Sequence, residues 1–312
     1  AACRDKRIVT SGGATYKALV VPGARLMPAD VLAKLLDLAK EGATVVFLDQ
    51  YPEDVPGYAG LERRRTEFKR ALEQIKKLGN ERGKDQTVFF GTDYARTLAQ
   101  TAAIPEAMKT SFDLSCIRRK NTEGYHYFIS ALTGKDTESW IPLAVPARSA
   151  MLYNPMNGSS GKALLRQKDG KTEVYLQLAS GESAILKTFT EADVQVPEWK
   201  YQTVAQGTVE LSGLWSLRFV ESAPAVHSVP DSVSLGSWTD LSFEGAGTTM
   251  GTGCYTTAFV IENPASAQDW QLSLGDVRES ARVRINGREV ATLWAVPYCC
   301  PIGQYLRPGK NI

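Results

Sequence analysis

A chain of 312 residues has room for two or three domains, because single hydrophobic cores stop growing below that length. Its content of 43% hydrophobic and 22% charged residues is ordinary for a globular protein, and 36 Lys and Arg against 34 Asp and Glu leave a net charge of +2. That balance, with basic residues scattered rather than striped, argues against a nucleic-acid partner. The densest basic cluster, Arg63-Arg64-Arg65, is flanked by Glu62 and Glu67 and reads as a solvated helix face. No apolar run reaches the roughly 18 residues of a membrane helix. The two histidines, His126 and His227, are too few for a His-rich metal site. The five cysteines, Cys3, Cys116, Cys254, Cys299 and Cys300, show no C-x-x-C spacing, and their odd count signals unpaired, mostly buried thiols. No metal and no cofactor is expected.

Residues 1–109 alternate strand and helix. Ala18 to Val21 is a short continuous apolar run, as expected for a strand covered on both faces, and Pro22-Gly23 ends it. Pro28 suits a first helical turn, since its missing N–H needs no partner there. Val31, Leu32, Leu35, Leu38 and Ala39 recur at helical spacing, and Gly42 fits the C-terminal cap. Ala43 to Leu48 gives a second buried strand and so a parallel pairing. A second helix is predicted from Leu61 to Leu78, closed by Gly79. Thr87 to Phe90 is a third strand, followed by a short helix through Leu98. The expectation is a small, doubly wound α/β domain.

From Phe112 to Phe189 the period becomes two. Leu114–Arg118 and Tyr125–Ala131 flank a polar turn at Asn121 to Gly124. Ala150–Tyr153, Glu173–Leu178 and Ser183–Thr188 follow, separated by Asn157-Gly158, Asp169-Gly170 and Ser180-Gly181. Short strands at this turn density predict an antiparallel β-sandwich over 110–190. Residues 190–210 carry Pro197 and little periodicity, which predicts a linker. Leu214–Phe219, Cys254–Ile261, Trp270–Leu274, Ala281–Ile285 and Glu289–Trp294 are then strand candidates in a second β domain over 191–312, a jelly roll. Asn286-Gly287 is a hairpin signal, because a type I′ turn needs positive φ at both positions. The chain opens without an initiator Met or an apolar leader and closes at a turn followed by Ile312, so it reads as a piece of a longer protein, the last domain truncated at its C-terminal end.

Three stretches, in order, resemble the C-terminal half of glycoside hydrolase family 106, the α-L-rhamnosidases. The first is Tyr16-Lys17-Ala18-Leu19-Val20-Val21-Pro22 with Met27-Pro28 and Glu41 to Val46. The second is Gly124 to Ser130 with Leu176 to Ser183. The third combines Leu211 to Trp215, Ser237 to Asp240, Leu274 to Val277, Val283 to Gly287 and Leu293 to Tyr298. Departures are Ala131, where the family tends to have Asn, and Cys299-Cys300. The last segment also resembles, more loosely, the galactose-binding-like accessory domains of family 2 β-galactosidase-type enzymes. The resemblance implies that a sugar-cleaving barrel precedes residue 1, and that the protein is exported by a bacterium, to the periplasm or beyond, to break down rhamnose-bearing plant polysaccharide. Its partners would be that carbohydrate and the barrel of the same polypeptide. The first segment resembles a flavodoxin-like, amidotransferase-like spacer.

Glycosidases need two carboxyl groups, one protonated and one ionised, flanking the scissile bond. Asp49 and Asp93 follow apolar strands at the edge where open α/β sheets bind ligands, but acidic residues there are also common turn formers. Amidotransferase chemistry needs a Cys nucleophile with a His nearby, and the strand ends, Pro22-Gly23, Asp49-Gln50 and Gly91-Thr92, offer neither. No phosphate-cradling glycine motif follows a strand. His126, between Tyr125 and Tyr127, reads as a hydrogen-bonded sheet residue. No catalytic residue is assigned, and the expected role is an inactive brace for the barrel, a carbohydrate-binding module or an oligomer contact. Pyranose C–H faces stack on aromatic rings, and sugar hydroxyls need Arg, Asn or Asp. Arg282, Arg284, Trp294 and Tyr298 are therefore the candidate carbohydrate-binding residues. A competing expectation buries Trp294 in the core and turns both arginines to water, as buried Trp is common in such sandwiches. Trp215 and Trp238 are assigned to core or interface on the same ground.

Overall fold

The computed structural model describes residues 1–81, 83, 85–203 and 208–312. It is mostly β-strand, in several small sheets, with few helices. A parallel sheet of Ala18–Val21, Thr44–Leu48 and Val88–Gly91 has Thr44–Leu48 in the middle. Both its faces are covered, which explains the continuous apolar runs. Helices Ala29–Lys40 and Leu61–Asn80 bury Leu32, Leu35, Phe68, Ala71 and Ile75 against one face. Leu98, from the short helix Tyr94–Ala99, packs with Val46, Leu48 and Phe89 on the other.

The first helix ends as predicted, with Gly42 at φ 98° and its N–H bonded to the carbonyl of Ala39 at 3.0 Å. The second does not. It runs through Gly79 to Asn80, so Gly79 is no cap. A Cβ there would lie 3.1 Å from the Tyr51 hydroxyl and 3.5 Å from Val88 Cγ1, so this glycine answers to close helix–sheet packing. A small antiparallel sheet of Ala2–Arg4, Arg7–Val9 and Thr15–Tyr16, not anticipated from the sequence, sets Ile8 against Leu38 and Ala43.

In the middle of the chain two antiparallel sheets share one core. One has five strands, in the order Ser160–Lys162, Ser149–Tyr153, Ser183–Phe189, Gly124–Ser130, Ser115–Lys120. The other has three, Leu165–Lys168, Lys171–Leu178 and Thr137–Pro142. Alternate residues point inward: Tyr127, Ile129, Ile141, Val174, Leu176 and Leu186 are all at most 1% exposed. The predicted linker is only partly loose. Trp199 and Tyr201 pack against this core, Lys162 N–H donates to the Pro197 carbonyl at 2.8 Å, and Trp199 N–H donates to the Lys162 carbonyl at 2.9 Å. Two ladder-like bonds and two aromatic anchors outweigh the missing periodicity. Residues 204–207 of the expected linker lie outside the described residues.

Beyond residue 208 the described strands form two-stranded pairs: Ser216–Ala223 with Met250–Thr256, Phe259–Ile261 with Gly309–Asn311, Gln271–Ser273 with Cys299–Pro301, and Ala281–Ile285 with Arg288–Leu293. The single strand expected over Cys254–Ile261 is thus two strands with different partners. Asn286 and Gly287 have φ of 53° and 80°, as the hairpin signal requires. Trp238 meets Phe219 edge-on at 4.8 Å and donates from Nε1 to the Tyr255 hydroxyl at 2.7 Å, in keeping with a packing role. All five cysteines are free thiols, and only Cys300 is buried. The expectation of mostly buried thiols fails because Cys3, Cys116, Cys254 and Cys299 sit on short or edge strands that leave one side to solvent.

Candidate functional site

Glycosidic cleavage depends on carboxyl groups, and the acids of this chain are engaged as follows. Asp93 caps the helix Tyr94–Ala99, its Oδ1 accepting from Arg96 N–H at 3.0 Å. Asp49, exposed and at φ 65°, is a turn residue whose N–H donates to the Gly91 carbonyl at 2.9 Å. Asp54 takes a two-pronged bond from Arg65, at 2.6 and 3.0 Å, and a third from Val55 N–H; Arg65 and then Val55 hold its carboxyl down to about 2.

Among the described residues Glu106 is the most withdrawn carboxylate in an ion pair, its side chain 8% exposed. It accepts from Arg118 Nη1, from the Tyr127 hydroxyl at 3.2 Å and from Ala144 N–H at 3.0 Å. Burial first, and then the charge of Glu106, push the Tyr127 hydroxyl far above its ordinary value. The arrangement ties a short helix, two strands and a loop together, and both oxygens of Glu106 are taken up within it. No motif marks Glu106 in the sequence.

Glu182 is a carboxyl raised above the usual range, mainly by burial and then by the nearby Asp136. These two come closest to a general-acid arrangement, but both serve one turn. Glu182 Oε2 accepts from Ala179 N–H and Asp136 Oδ1 from Ser180 N–H, each at 2.8 Å. Each carboxylate thus has an oxygen engaged by the backbone of that turn. Two clefts open on the surface. One, of ≈ 590 Å³, is lined by residues including Pro105, Pro142, Val145, Arg148 and Lys171, with no acid among them. The other, of ≈ 460 Å³ between the two long helices, has Glu67 as its single carboxylate. Among the described residues no three His, Cys, Asp or Glu side chains group as metal ligands.

The residues expected to bind sugar separate into two groups. Val283 and Ile285 face inward on the strand Ala281–Ile285, so Arg282 and Arg284 face water, with Arg282 Nε 4.0 Å from Glu289. The partner strand ends at Leu293, which is buried, and Trp294 beyond it is 64% exposed. The expectation that buries Trp294 is therefore overturned: Leu293 takes the inward position and leaves its neighbour outside. Tyr298 goes the other way. It is 8% exposed in the last core, and its hydroxyl donates to the Glu279 carbonyl at 3.1 Å, so it presents no ring to a ligand. The Trp294 loop meets the middle of the chain: a Cβ on Gly181 would collide with Val296. His126 lies on the outer face of its sheet, Nδ1 2.9 Å from the Asn121 amide nitrogen.

A rhamnosidase from Novosphingobium sp. PP1Y has a solved structure that superposes on 99% of this chain with a TM-score of 0.65 and 21% identity, a likeness of fold. A putative β-glucuronidase of Formosa agariphila is 29% identical over 105 residues, 33% of this chain. The matched regions amount to 30% of the first protein and 9% of the second, so the chain spans a small part of either. Both of those proteins are named as glycoside hydrolases. The family model described as alpha-L-rhamnosidase, of glycoside hydrolase family 106, matches residues 1–167, more than half of the chain. The chain belongs to that family.

Proposed function

We propose that these residues form a non-catalytic, C-terminal part of a glycoside hydrolase acting on rhamnose-containing polysaccharide. They brace a catalytic barrel carried by the polypeptide before residue 1, in a protein that works outside the cytoplasm. In this reading residues 1–109 are a flavodoxin-like spacer, 110–190 a β-sandwich domain and 191–312 a galactose-binding-like jelly roll. The observation that carries it is the fate of the acids. Glu106 and Glu182 are spent on the scaffold, and neither cleft offers two carboxyl groups at glycosidase separation.

The test is hydrolysis of an aryl α-L-rhamnoside by the 312-residue chain. No rate above buffer is expected. Turnover that disappears in Glu182→Gln would sink the reading and place a general acid at the Ala179–Glu182 turn.

The 64% exposure of Trp294 favours a second reading, in which the last segment anchors the enzyme to its polysaccharide through Trp294, Arg282 and Arg284. Calorimetric titration with a rhamnose-bearing oligosaccharide, lost in Trp294→Ala, would support the anchor; the brace predicts no heat from that residue.

A further inference from the structure

The outer face of the sheet Leu165–Lys168, Lys171–Leu178, Thr137–Pro142 carries a set of side chains that the brace does not use. Register puts Tyr175 opposite Trp140, Glu173 opposite Pro142 and Gln177 opposite Glu138. Because Val174, Leu176 and Ile141 point into the core, all these side chains stand on the solvent side. Trp140 and Tyr175 lie 5.3 Å apart between ring centroids, and Tyr175 and Tyr201 5.1 Å. The three rings are partly exposed and adjoin in a row, each tilted against the next by 50° and 63°.

Polar groups sit at both ends of the row. At one end the Arg166 guanidinium lies over the Trp140 ring, 4.4 Å from its centre, and so covers part of it; its Nε donates to Glu173 at 2.6 Å, which leaves its terminal nitrogens as donors. At the other, Glu138 Oε1 accepts from the Tyr175 hydroxyl at 2.6 Å and from Gln177 Nε2 at 3.1 Å. Those bonds hold the Glu138 carboxyl below its usual range, and so ionised, while Oε2 accepts nothing among the described residues. The Gln177 amide is fixed by two bonds to the backbone of Gln202, each 2.7 Å, which makes a wall along one side. From the Glu173 row to the Gln177 row is roughly 13 Å of strand, the scale of a disaccharide.

We propose that this face is a carbohydrate-binding surface for a neutral saccharide, with pyranose C–H groups packed against Tyr175 and the part of Trp140 that the Arg166 guanidinium leaves uncovered. Sugar hydroxyls donate to Glu138 Oε2 and accept from the Arg166 terminal nitrogens. The choice of a neutral sugar over a uronic acid follows from charge. No cation contacts Glu138 among the described residues, so a sugar carboxylate placed over that end meets like charge. The inference goes beyond the brace, and its residues are other than those of the Trp294 loop.

The test is an NMR and calorimetric titration of the 312-residue chain with methyl α-L-rhamnopyranoside, a neutral rhamnose-containing disaccharide and digalacturonate. Binding of the neutral disaccharide at about millimolar Kd is expected, weakened about tenfold or more by Trp140→Ala and by Glu138→Gln, and unchanged by Trp294→Ala. Tyr175→Phe, which removes only the hydroxyl that holds Glu138, is the variant to use if Trp140→Ala does not fold. No binding, tighter binding of digalacturonate, or a loss confined to Trp294→Ala would overturn the proposal, the last leaving the anchor reading intact. Activity on an aryl rhamnoside overturns the brace and leaves this surface untouched.

Discussion

Removing the Glu106 carboxylate tests whether the middle of the chain is held by one buried ionic knot. Glu106→Ala strands three groups at once: the Arg118 guanidinium, 29% exposed, the Tyr127 hydroxyl in a side chain 0% exposed, and the Ala144 N–H. Each unsatisfied neutral group costs about 1–3 kcal/mol, and breaking a buried ion pair from one side costs about 3–5 kcal/mol. These costs overlap, since the same site relaxes for all of them, so the expected loss is about 3–5 kcal/mol in total. Glu106→Gln keeps the acceptor oxygen, drops the charge and should cost about half as much. Native-state hydrogen exchange reads the effect where it acts. Protection of the slowest amides in Ser115–Lys120, Gly124–Ser130 and Ser183–Phe189 should fall by roughly two to three and a half orders of magnitude in Glu106→Ala. A fall of less than tenfold would mean that water replaces the carboxylate freely and that the site is not buried in the sense argued.

Asp54 has its folded pKa depressed, so the contribution of its bond to Arg65 is present above the ordinary value of 3.8 and is lost as pH falls through about 2. A carboxyl-carbon NMR titration should place its midpoint near 2, and Arg65→Gln should return it toward 3.8; an unmoved midpoint contradicts the pairing. Asn311 is 0% exposed and fully bonded, donating to the Arg307 and Gly309 carbonyls at 2.9 Å and accepting from Arg307 N–H and Asn286 Nδ2. Asn311→Ala should cost about 2–3 kcal/mol in urea unfolding, with Val283 and Ile285 reporting, and a cost under half a kcal/mol would refute it. Gly181 combines φ 90° with the Val296 contact, so Gly181→Ala should destabilise by about 1–3 kcal/mol and broaden the Trp294 indole signal. Val296→Ala in the same chain should restore part of that loss.

The elements easiest to read were those with one dominant driving force. Ala18–Val21 and Thr44–Leu48 are covered on both sides, so apolar continuity alone betrays them. The Asn286-Gly287 turn is legible because few other dipeptides tolerate positive φ twice. Gly79 misleads because a glycine near a helix end has two explanations, a cap or a close approach, and only the positions of Tyr51 and Val88 decide. In the sequence Trp294 and Tyr298 are equal candidates for sugar contact. The structure buries one and exposes the other, because the strand stops at Leu293 and the chain then turns through the loop that contacts Gly181. Trp140 and Tyr175 carry no signal in the sequence, because alternation alone shows two faces without saying which one meets solvent. Strand register, which brings Trp140 opposite Tyr175, involves residues 35 positions apart and is invisible in a linear reading. The Glu106 knot is hidden for the same reason, its partners coming from separate strands and a loop.

The stretch from Pro197 to Gln202 also bears on how this polypeptide tolerates cutting and shortening. A Cβ on Gly161 would press against the backbone of Trp199 at 2.6 Å, and Tyr201 takes Leu164 N–H at 3.1 Å, so these residues are a clasp on the middle sheets rather than slack. A protease seeking pliable peptide bonds is denied them there. A version ended at Phe189 would unroof the side of the core that Trp199 and Tyr201 cover, and a shortened polypeptide should keep everything through Gln202 if its middle sheets are to stay soluble.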